Sequence, residues 1–252
     1  MPKKYWIIIC FVLAVGIYLN RSYAYIYQRI DKAGLNPPVQ NQLYSFGYTN
    51  DVPSYEDYAL YVALGDSLTA GVGVDQYEQS FPYLLAKKIA DAKQPKVITL
   101  KTLAVPGAKT ADVLTLLPTV IANKPQAVIL LIGVNDIHGN VSKDDFKKNY
   151  EQIVSELTKK TSAKVYLINL PAIGANNLLL LPYNYYFRAL TKNFNKVIKE
   201  LAEQYNLTYI DLHTPTADVL KHNGNYYSVD FFHPSAIGYQ HWAEIIYADL
   251  HK

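Results

Sequence analysis

The sequence contains little cysteine and little net charge. Its single cysteine, Cys10, excludes an intrachain disulfide and a metal site built from several thiolates. The net charge is +3 over 252 residues, and the lysines are scattered over predicted helix faces. Nucleic-acid-binding proteins normally gather basic residues on one face, so no nucleic-acid partner is expected. Hydrophobic residues make up 50% of the chain, which favours a folded domain with a sizeable core.

The N-terminal region contains a long apolar run, residues 5–19, preceded by two lysines. A positive flank and an apolar run of this length are typical of a signal peptide, and the run is short for a bilayer span. Ser22 to Ala24 offers a small-residue cleavage pattern, whereas Arg21 and the aromatic residues at both ends of the run favour an uncleaved membrane anchor. Residues 1–24 are therefore predicted to be a signal peptide or a membrane anchor. Both interpretations predict an extracytoplasmic protein, which is secreted in the first case and membrane-anchored in the second.

The rest of the chain divides into two regions. Residues 25–57 are rich in Tyr, Asn, Gln and Pro without a sustained period, which predicts a linker or stalk, with a short helix at 22–33. In residues 58–252, short apolar runs alternate with amphipathic segments, which indicates right-handed crossovers and a parallel sheet. The sequence predicts a three-layer α/β/α domain with a five-stranded parallel sheet. Strands are predicted at 58–65, 96–103, 126–132, 164–170 and 207–211, and helices at 79–92, 109–122, 143–160, 185–205 and 235–250.

The first predicted strand of this domain ends abruptly in a small polar residue flanked by glycines. The stretch YVALGDSLTAG places Ser67 directly after the strand. A serine hydroxyl becomes a good nucleophile only when a base removes its proton. The competing interpretation is a turn or helix N-cap serine, a common role for serine after a strand.

Polar residues or glycines also follow the second and third predicted strands. Gly107 lies in LAVPGAKT, where its backbone N–H can point into a site, although a Pro-Gly pair is first of all a turn. Asn135 lies in LLIGVND, where its side-chain amide can donate to a developing negative charge or simply cap the loop. Ligands of such sheets bind beyond the carboxyl ends of the strands, so both residues are candidate site residues.

The last candidate group is an acid and a histidine before the final helix. Asp230 and His233 lie three residues apart in SVDFFHPSAIGY. A carboxylate beside an imidazole fixes the tautomer of the ring and stabilises the imidazolium that forms when it takes a proton. Together with Ser67, this pair supplies the nucleophile, base and acid that acyl transfer requires. The Ser67 and Gly107 N–H groups and the Asn135 side chain are the expected oxyanion donors.

The four blocks, in this order, resemble the GDSL-type, or SGNH, hydrolase family over residues 58–250. The resemblance implies a flavodoxin-like sheet and serine esterase chemistry. It implies Ser67 as nucleophile, Asp230 and His233 as the rest of the triad, and Gly107 and Asn135 in the oxyanion hole. No cofactor is expected, and no metal, because the other histidines show no ligand spacing with acidic partners. One departure is the stretch before Gly107, which lacks the asparagine usual in that block.

Two other functions that use glycine-flanked strand ends fit less well. The stretch GDSLT lacks the final glycine of the Gly-x-Ser-x-Gly elbow of α/β-hydrolases, and the acid and base share one short loop. The glycine spacing after the first strand also fails the dinucleotide fingerprint, and no Lys-Ser/Thr follows as in a P-loop.

The substrate is indicated by one segment only. Leu178, Leu179, Leu180 and Leu181 form an apolar run after the fourth predicted strand, which can line an acyl pocket, touch a membrane or pack in the core. With the membrane-directed N-terminus, this run favours lipid or lysophospholipid esters. The 23 tyrosines suit sugar stacking, so an O-acetyl esterase acting on cell-surface glycans stays open. An acyltransferase and a non-catalytic binding module are the remaining alternatives.

Overall fold

A computed structural model describes residues 2–38, 43–47, 58–92, 97–172, 174–175, 177–219 and 225–250. These residues form an α/β fold, as the sequence predicts. The strands are β1 (Tyr44–Phe46), β2 (Tyr58–Gly65), β3 (Val97–Ala104), β4 (Ala127–Leu131), β5 (Lys164–Ile168) and β6 (Thr208–Ile210). The helices are α1 (Lys3–Ala33), α2 (Ser67–Ala70), α3 (Phe81–Ala92), α4 (Thr110–Ala122), α5 (Val134–His138), α6 (Lys143–Lys160), α7 (Tyr183–Gln204), α8 (His213–Val219) and α9 (Ala236–Asp249), with a 3-10 turn at Tyr77–Gln79.

The six strands form one sheet in the order β1-β3-β2-β4-β5-β6. The five predicted strands are present and pair in parallel, in the order of flavodoxin-like sheets. The sheet has one strand more than predicted, because β1, from the region predicted to be a linker, pairs antiparallel with β3 at the edge. A run of three residues is too short for periodicity to reveal a strand.

The central strands are covered on both faces. Every residue of β4 is buried, as the unbroken apolar run predicts for a parallel strand between two helix layers. The helices pack in two groups, α3 with α9, and α6 with both α4 and α7. This packing leaves the carboxyl ends of the strands, where the candidate site residues follow, as the edge at which loops converge.

Helix α1 is continuous across residue 24, where the sequence suggests a boundary between a membrane-directed segment and a linker. Residues 3–18 are exposed throughout. From Leu19 onward, one stripe of the helix packs on the domain at a helical spacing. This stripe consists of Leu19, Ser22, Ile26, Ile30 and Ala33. By length and composition alone, α1 is apolar enough to cross a membrane.

Candidate active site

Ser67 begins α2, directly after β2. The preceding Asp66 caps this short helix by accepting the Leu68 N–H at 3.0 Å. Gly65 ends the strand where no side chain fits, because a Cβ there would lie 2.3 Å from the Leu131 carbonyl oxygen of β4. The tight turn therefore presents the Ser67 hydroxyl at the carboxyl edge of the sheet, where it is 8% exposed.

The loop before α9 brings a base and an acid to this hydroxyl. His233 Nε2 lies 2.9 Å from Ser67 Oγ, and His233 Nδ1 lies 2.5 Å from Asp230 Oδ2. The other oxygen of Asp230 accepts the N–H groups of Phe232 and His233 at 2.9 and 3.0 Å. When Nδ1 donates to the carboxylate, Nε2 is left as the acceptor for the serine proton. The three residues are thus connected in the order that a serine nucleophile requires.

Gly73 allows the loop that carries Ser67 and the loop that carries His233 to meet. Its φ is +109°, and a Cβ there would lie 2.3 Å from the Pro234 carbonyl oxygen and 3.1 Å from His233 Cβ. A side chain at this position would push the histidine loop away from the serine loop. The glycine-rich stretch after Ser67 therefore serves a close backbone approach.

Hydrogen bonds also connect the loops of the predicted oxyanion donors. The Asn135 side-chain amide donates to the Ala108 carbonyl at 3.0 Å and to Asp66 Oδ2 at 3.4 Å. Gly107, beside Ala108, is exposed in a turn with a φ of +82°. Ser67, Gly107 and Asn135 thus follow three adjacent strands, β2, β3 and β4, and their loops adjoin.

Two buried aspartates beside the site organise loops. Burial raises the pKa of Asp66 to about 7 and also raises the pKa of Asp136 above its ordinary value. Asp136 accepts the backbone N–H and the hydroxyl of Thr110, at 2.9 and 2.5 Å, where α4 begins. Asp211 accepts the N–H groups of His213 and Thr214, both at 3.1 Å, so its carboxylate is engaged at the start of α8.

His138 and Tyr27 are neighbours of the candidate triad, because the Phe232 ring contacts both His138 and His233. The His138 ring packs on Phe232 and Phe187, with ring centroids 5.3 and 4.9 Å apart. Its Nδ1 lies 3.3 Å from the Tyr27 hydroxyl of α1. Burial, with a contribution from His233, lowers the pKa of His138 to about 4. Neither residue is among the candidates that the sequence blocks select, and Tyr27, next to the stripe on α1, lies in no local motif.

The four leucines predicted to bind substrate are divided between two environments. Leu178 and Leu179 are buried in the hydrophobic core. Leu180 and Leu181 are 37% and 56% exposed, and the Leu181 carbonyl accepts the hydroxyl of Tyr18 on α1 at 2.9 Å. Among the described residues, no three His, Cys, Asp or Glu side chains are grouped so that they could hold a metal ion.

A family model covers the whole of this site. Residues 63–241, which include Ser67, Gly107, Asn135, Asp230 and His233, match the GDSL-like Lipase/Acylhydrolase family. The chain belongs to this family. Membership agrees with the resemblance carried by the sequence blocks and makes the protein a relative of esterases and lipases.

Two similar proteins have names that indicate different substrates, because one is an acetylxylan esterase and the other a lipase. The chain is 26% identical over 223 residues to an acetylxylan esterase of Xylanibacter ruminicola, covering 81% of this chain. It spans only 45% of the length of that esterase. It is 28% identical over 212 residues to the spore germination lipase LipC of Bacillus licheniformis, covering 73% of this chain and 92% of the lipase.

Solved structures agree with the fold. The structure of the lipase/acylhydrolase from Enterococcus faecalis matches this chain with a TM-score of 0.62 at 25% identity. The match covers 76% of this chain and 95% of the Enterococcus chain. TesA has a TM-score of 0.63 at 22% identity and covers 76% of this chain and 97% of its own. At that identity the likeness to TesA concerns the fold alone.

Proposed function

We propose that this protein is a serine ester hydrolase that works through an acyl-enzyme on Ser67. The observation that carries the proposal is the connected set of hydrogen bonds from Asp230 through His233 to Ser67. The buried carboxylate orients the imidazole, and the imidazole accepts the serine proton as Oγ attacks the ester carbonyl. The family match over residues 63–241 supports the same chemistry.

The reaction proceeds in two stages on these residues. The tetrahedral oxyanion is held by the Ser67 and Gly107 N–H groups and by the Asn135 amide, which exchanges its long 3.4 Å bond to Asp66 for the oxyanion. Each such donor typically contributes about a hundredfold to a thousandfold in rate. His233 then gives its proton to the departing alcohol, leaving the acyl group on Ser67. It next activates a water that releases the acid. The chain requires no metal or cofactor for these steps.

The proposed substrates are lipid or lysophospholipid esters, met on the extracytoplasmic side of a membrane. The apolar α1 and the exposed Leu180 and Leu181 support this class. The similarity to an acetylxylan esterase favours a second candidate, removal of O-acetyl groups from cell-surface glycans. Acyl transfer would use the same triad, with an alcohol in place of water.

Hydrolysis of p-nitrophenyl esters from acetate to long acyl chains tests the proposal. The full-length protein in detergent micelles is compared with Ser67→Ala and with Ser162→Ala, a control at an exposed serine before β5. We expect Ser67→Ala alone to abolish nearly all activity, with the highest rate on medium or long chains. Activity confined to acetate would favour the O-acetyl esterase, and new esters formed from an added alcohol would indicate transfer. A folded protein without activity on any ester would contradict the proposal and favour a binding module.

A further inference from the structure

Helix α1 presents two different surfaces along its length. Its second half packs on the domain through Ile26, which is completely buried. Its first half, residues 3–18, is exposed all round, including Trp6 at 59% and Phe11 at 69%. A helix that is apolar on every side needs an apolar surrounding. Protein covers one stripe of the second half of α1, whose other faces carry polar residues, and a bilayer is the surrounding that fits the first half.

The length of the apolar run fixes the depth of the domain. As a helix, residues 5–19 span about 22 Å, whereas the hydrocarbon core of a bilayer is about 30 Å thick. A run shorter than the bilayer draws its flanking residues to the interface. At the domain end, the Tyr18 hydroxyl donates to the Leu181 carbonyl at 2.9 Å, and the Tyr183 hydroxyl donates to the Leu19 carbonyl at 3.1 Å. The start of α7 is therefore held at the level of the membrane surface.

An exposed apolar patch lies at this level. We define the apolar patch as Leu180 and Leu181, which are 37% and 56% exposed, and Tyr185 and Tyr186, which are 67% and 46% exposed. Both tyrosines lie in the first turn of α7, directly after the leucines. Leucine is favourable in hydrocarbon, and tyrosine is enriched at the membrane–water interface, so the composition matches the depth.

A row of packed rings connects this region with the catalytic histidine. Tyr183, which contacts α1, lies 6.2 Å from Phe187, measured between ring centroids. Phe187 lies 4.9 Å from His138, His138 lies 5.3 Å from Phe232, and Phe232 lies 5.0 Å from His233. Phe187 and Phe232 are buried, at 2% and 7% exposed. The row is therefore a packed connection that fixes the start of α7 relative to His233.

We propose that the apolar patch is a membrane-contact surface that holds the active site against the bilayer in which α1 is anchored. The part of this inference that concerns the substrate rests on the proposed function: the substrate is an ester lipid of that same bilayer, which reaches Ser67 from the side of the apolar patch. α1 is thus both the anchor and the element that sets the orientation of the domain.

A fluorescent probe at position 181 tests the contact without reference to activity. Because Cys10 is the single cysteine, a Cys10→Ser variant allows one new cysteine to be labelled, at Leu181→Cys or at the control Ser162→Cys before β5. Each full-length protein is placed in phosphatidylcholine vesicles that contain some phosphatidylglycerol. We expect nitroxide lipids to quench the probe at 181 and iodide to quench the probe at 162. Equal quenching of both probes by iodide would overturn the proposal.

A substitution in the apolar patch tests the access of a lipid substrate. Tyr185→Asp is compared with Leu43→Asp, which changes an exposed leucine (63%) beside β1 at the opposite edge of the sheet. We expect Tyr185→Asp to lower the rate on p-nitrophenyl palmitate in vesicles about tenfold and to leave the rate on soluble p-nitrophenyl acetate unchanged. Equal losses on both esters, or none on either, would overturn the lipid-access claim.

The two experiments separate this inference from the proposed function. If position 181 is quenched by nitroxide lipids but no ester is hydrolysed, the membrane-contact surface stands and the esterase proposal fails. If esters are hydrolysed through Ser67 but position 181 is open to iodide, the esterase stands and the membrane-contact surface fails.

Discussion

At the scale of single residues, the carboxylate of Asp230 determines which nitrogen of His233 faces Ser67. One of its oxygens binds Nδ1, and the other is held by two backbone N–H groups. The side chain is completely buried, so these bonds are not exchanged with water. In the proposed triad, Asp230 thus acts through geometry and charge together.

Replacing Asp230 by Asn separates geometry from charge. The new side chain has a similar shape, but its amide can donate to Nδ1, which turns the Nε2 hydrogen toward Ser67 and removes the base. We expect kcat to fall about a thousandfold to ten-thousandfold with little change in the thermal unfolding midpoint. Esterase assays and thermal unfolding of the purified variant measure the two quantities. A loss below about tenfold would contradict the role of Asp230 in the triad.

His138 makes stability depend on pH. Its pKa is about 4 in the folded protein, against 6.5 as its ordinary value, because it is buried. Between these values the unfolded chain binds a proton that the folded protein does not, so stability falls as the pH drops from 6.5 toward 4. We expect His138→Gln to reduce this loss by on the order of 2 kcal/mol, as measured by urea unfolding at several pH values.

Asp66 changes the free energy of unfolding with pH in the opposite direction to His138. Its raised pKa of about 7 means that its contribution to stability is present below pH 4 and is lost as the pH rises through 7. This contribution is common to the wild type and to His138→Gln, so it cancels in their difference. Parallel pH curves for the two proteins would contradict the account of His138.

The candidate site residues could be selected from sequence because each one follows a strand or precedes the last helix. Parallel strands end at one edge of a sheet, so the order of motifs along the chain is enough to group Ser67, Gly107 and Asn135. Tyr27 could not be selected in this way. Its place beside His138 depends on how α1 docks, and that docking is a long-range contact that no local motif records.

At the scale of elements, α1 belongs to the domain as well as to the membrane-directed segment. The regular helices and parallel strands follow from their periodicity, and their predicted bounds differ from the observed ones by a few residues. The short helix predicted at 22–33 is confirmed as the second half of α1. The sequence does not predict its docking on the domain, because Tyr, Arg and Gln give this segment the composition of a polar linker.

Substitutions of two isoleucines of α1 test whether the second half of this helix packs on the domain. Ile26 is completely buried, whereas Ile17 is 56% exposed. We expect Ile26→Ala to lower the free energy of unfolding by about 2–4 kcal/mol, because it leaves a cavity between α1 and the domain. Ile17→Ala should leave it unchanged. Chemical unfolding in detergent measures both, and equal effects of the two substitutions would contradict the docked arrangement.

At the scale of the whole molecule, the fold brings a reactive edge and an apolar surface together. The carboxyl edge of the sheet holds the candidate triad, and the adjoining loop and the start of α7 carry the apolar patch next to α1. The family and the α/β class follow from the sequence. The orientation of the domain against a bilayer does not, because it depends on where the exposed half of α1 ends relative to the docked half.

The central claim is that Ser67 is the nucleophile, and covalent labelling of the whole protein tests it most directly. The full-length protein is treated with an alkyl fluorophosphonate, and peptide mass spectrometry locates the adduct. We expect one phosphonyl group, on Ser67, with slower labelling in His233→Ala and none in Ser67→Ala, because only an activated serine displaces the fluoride. An adduct on another residue, or equal labelling of Ser67→Ala, would contradict the account.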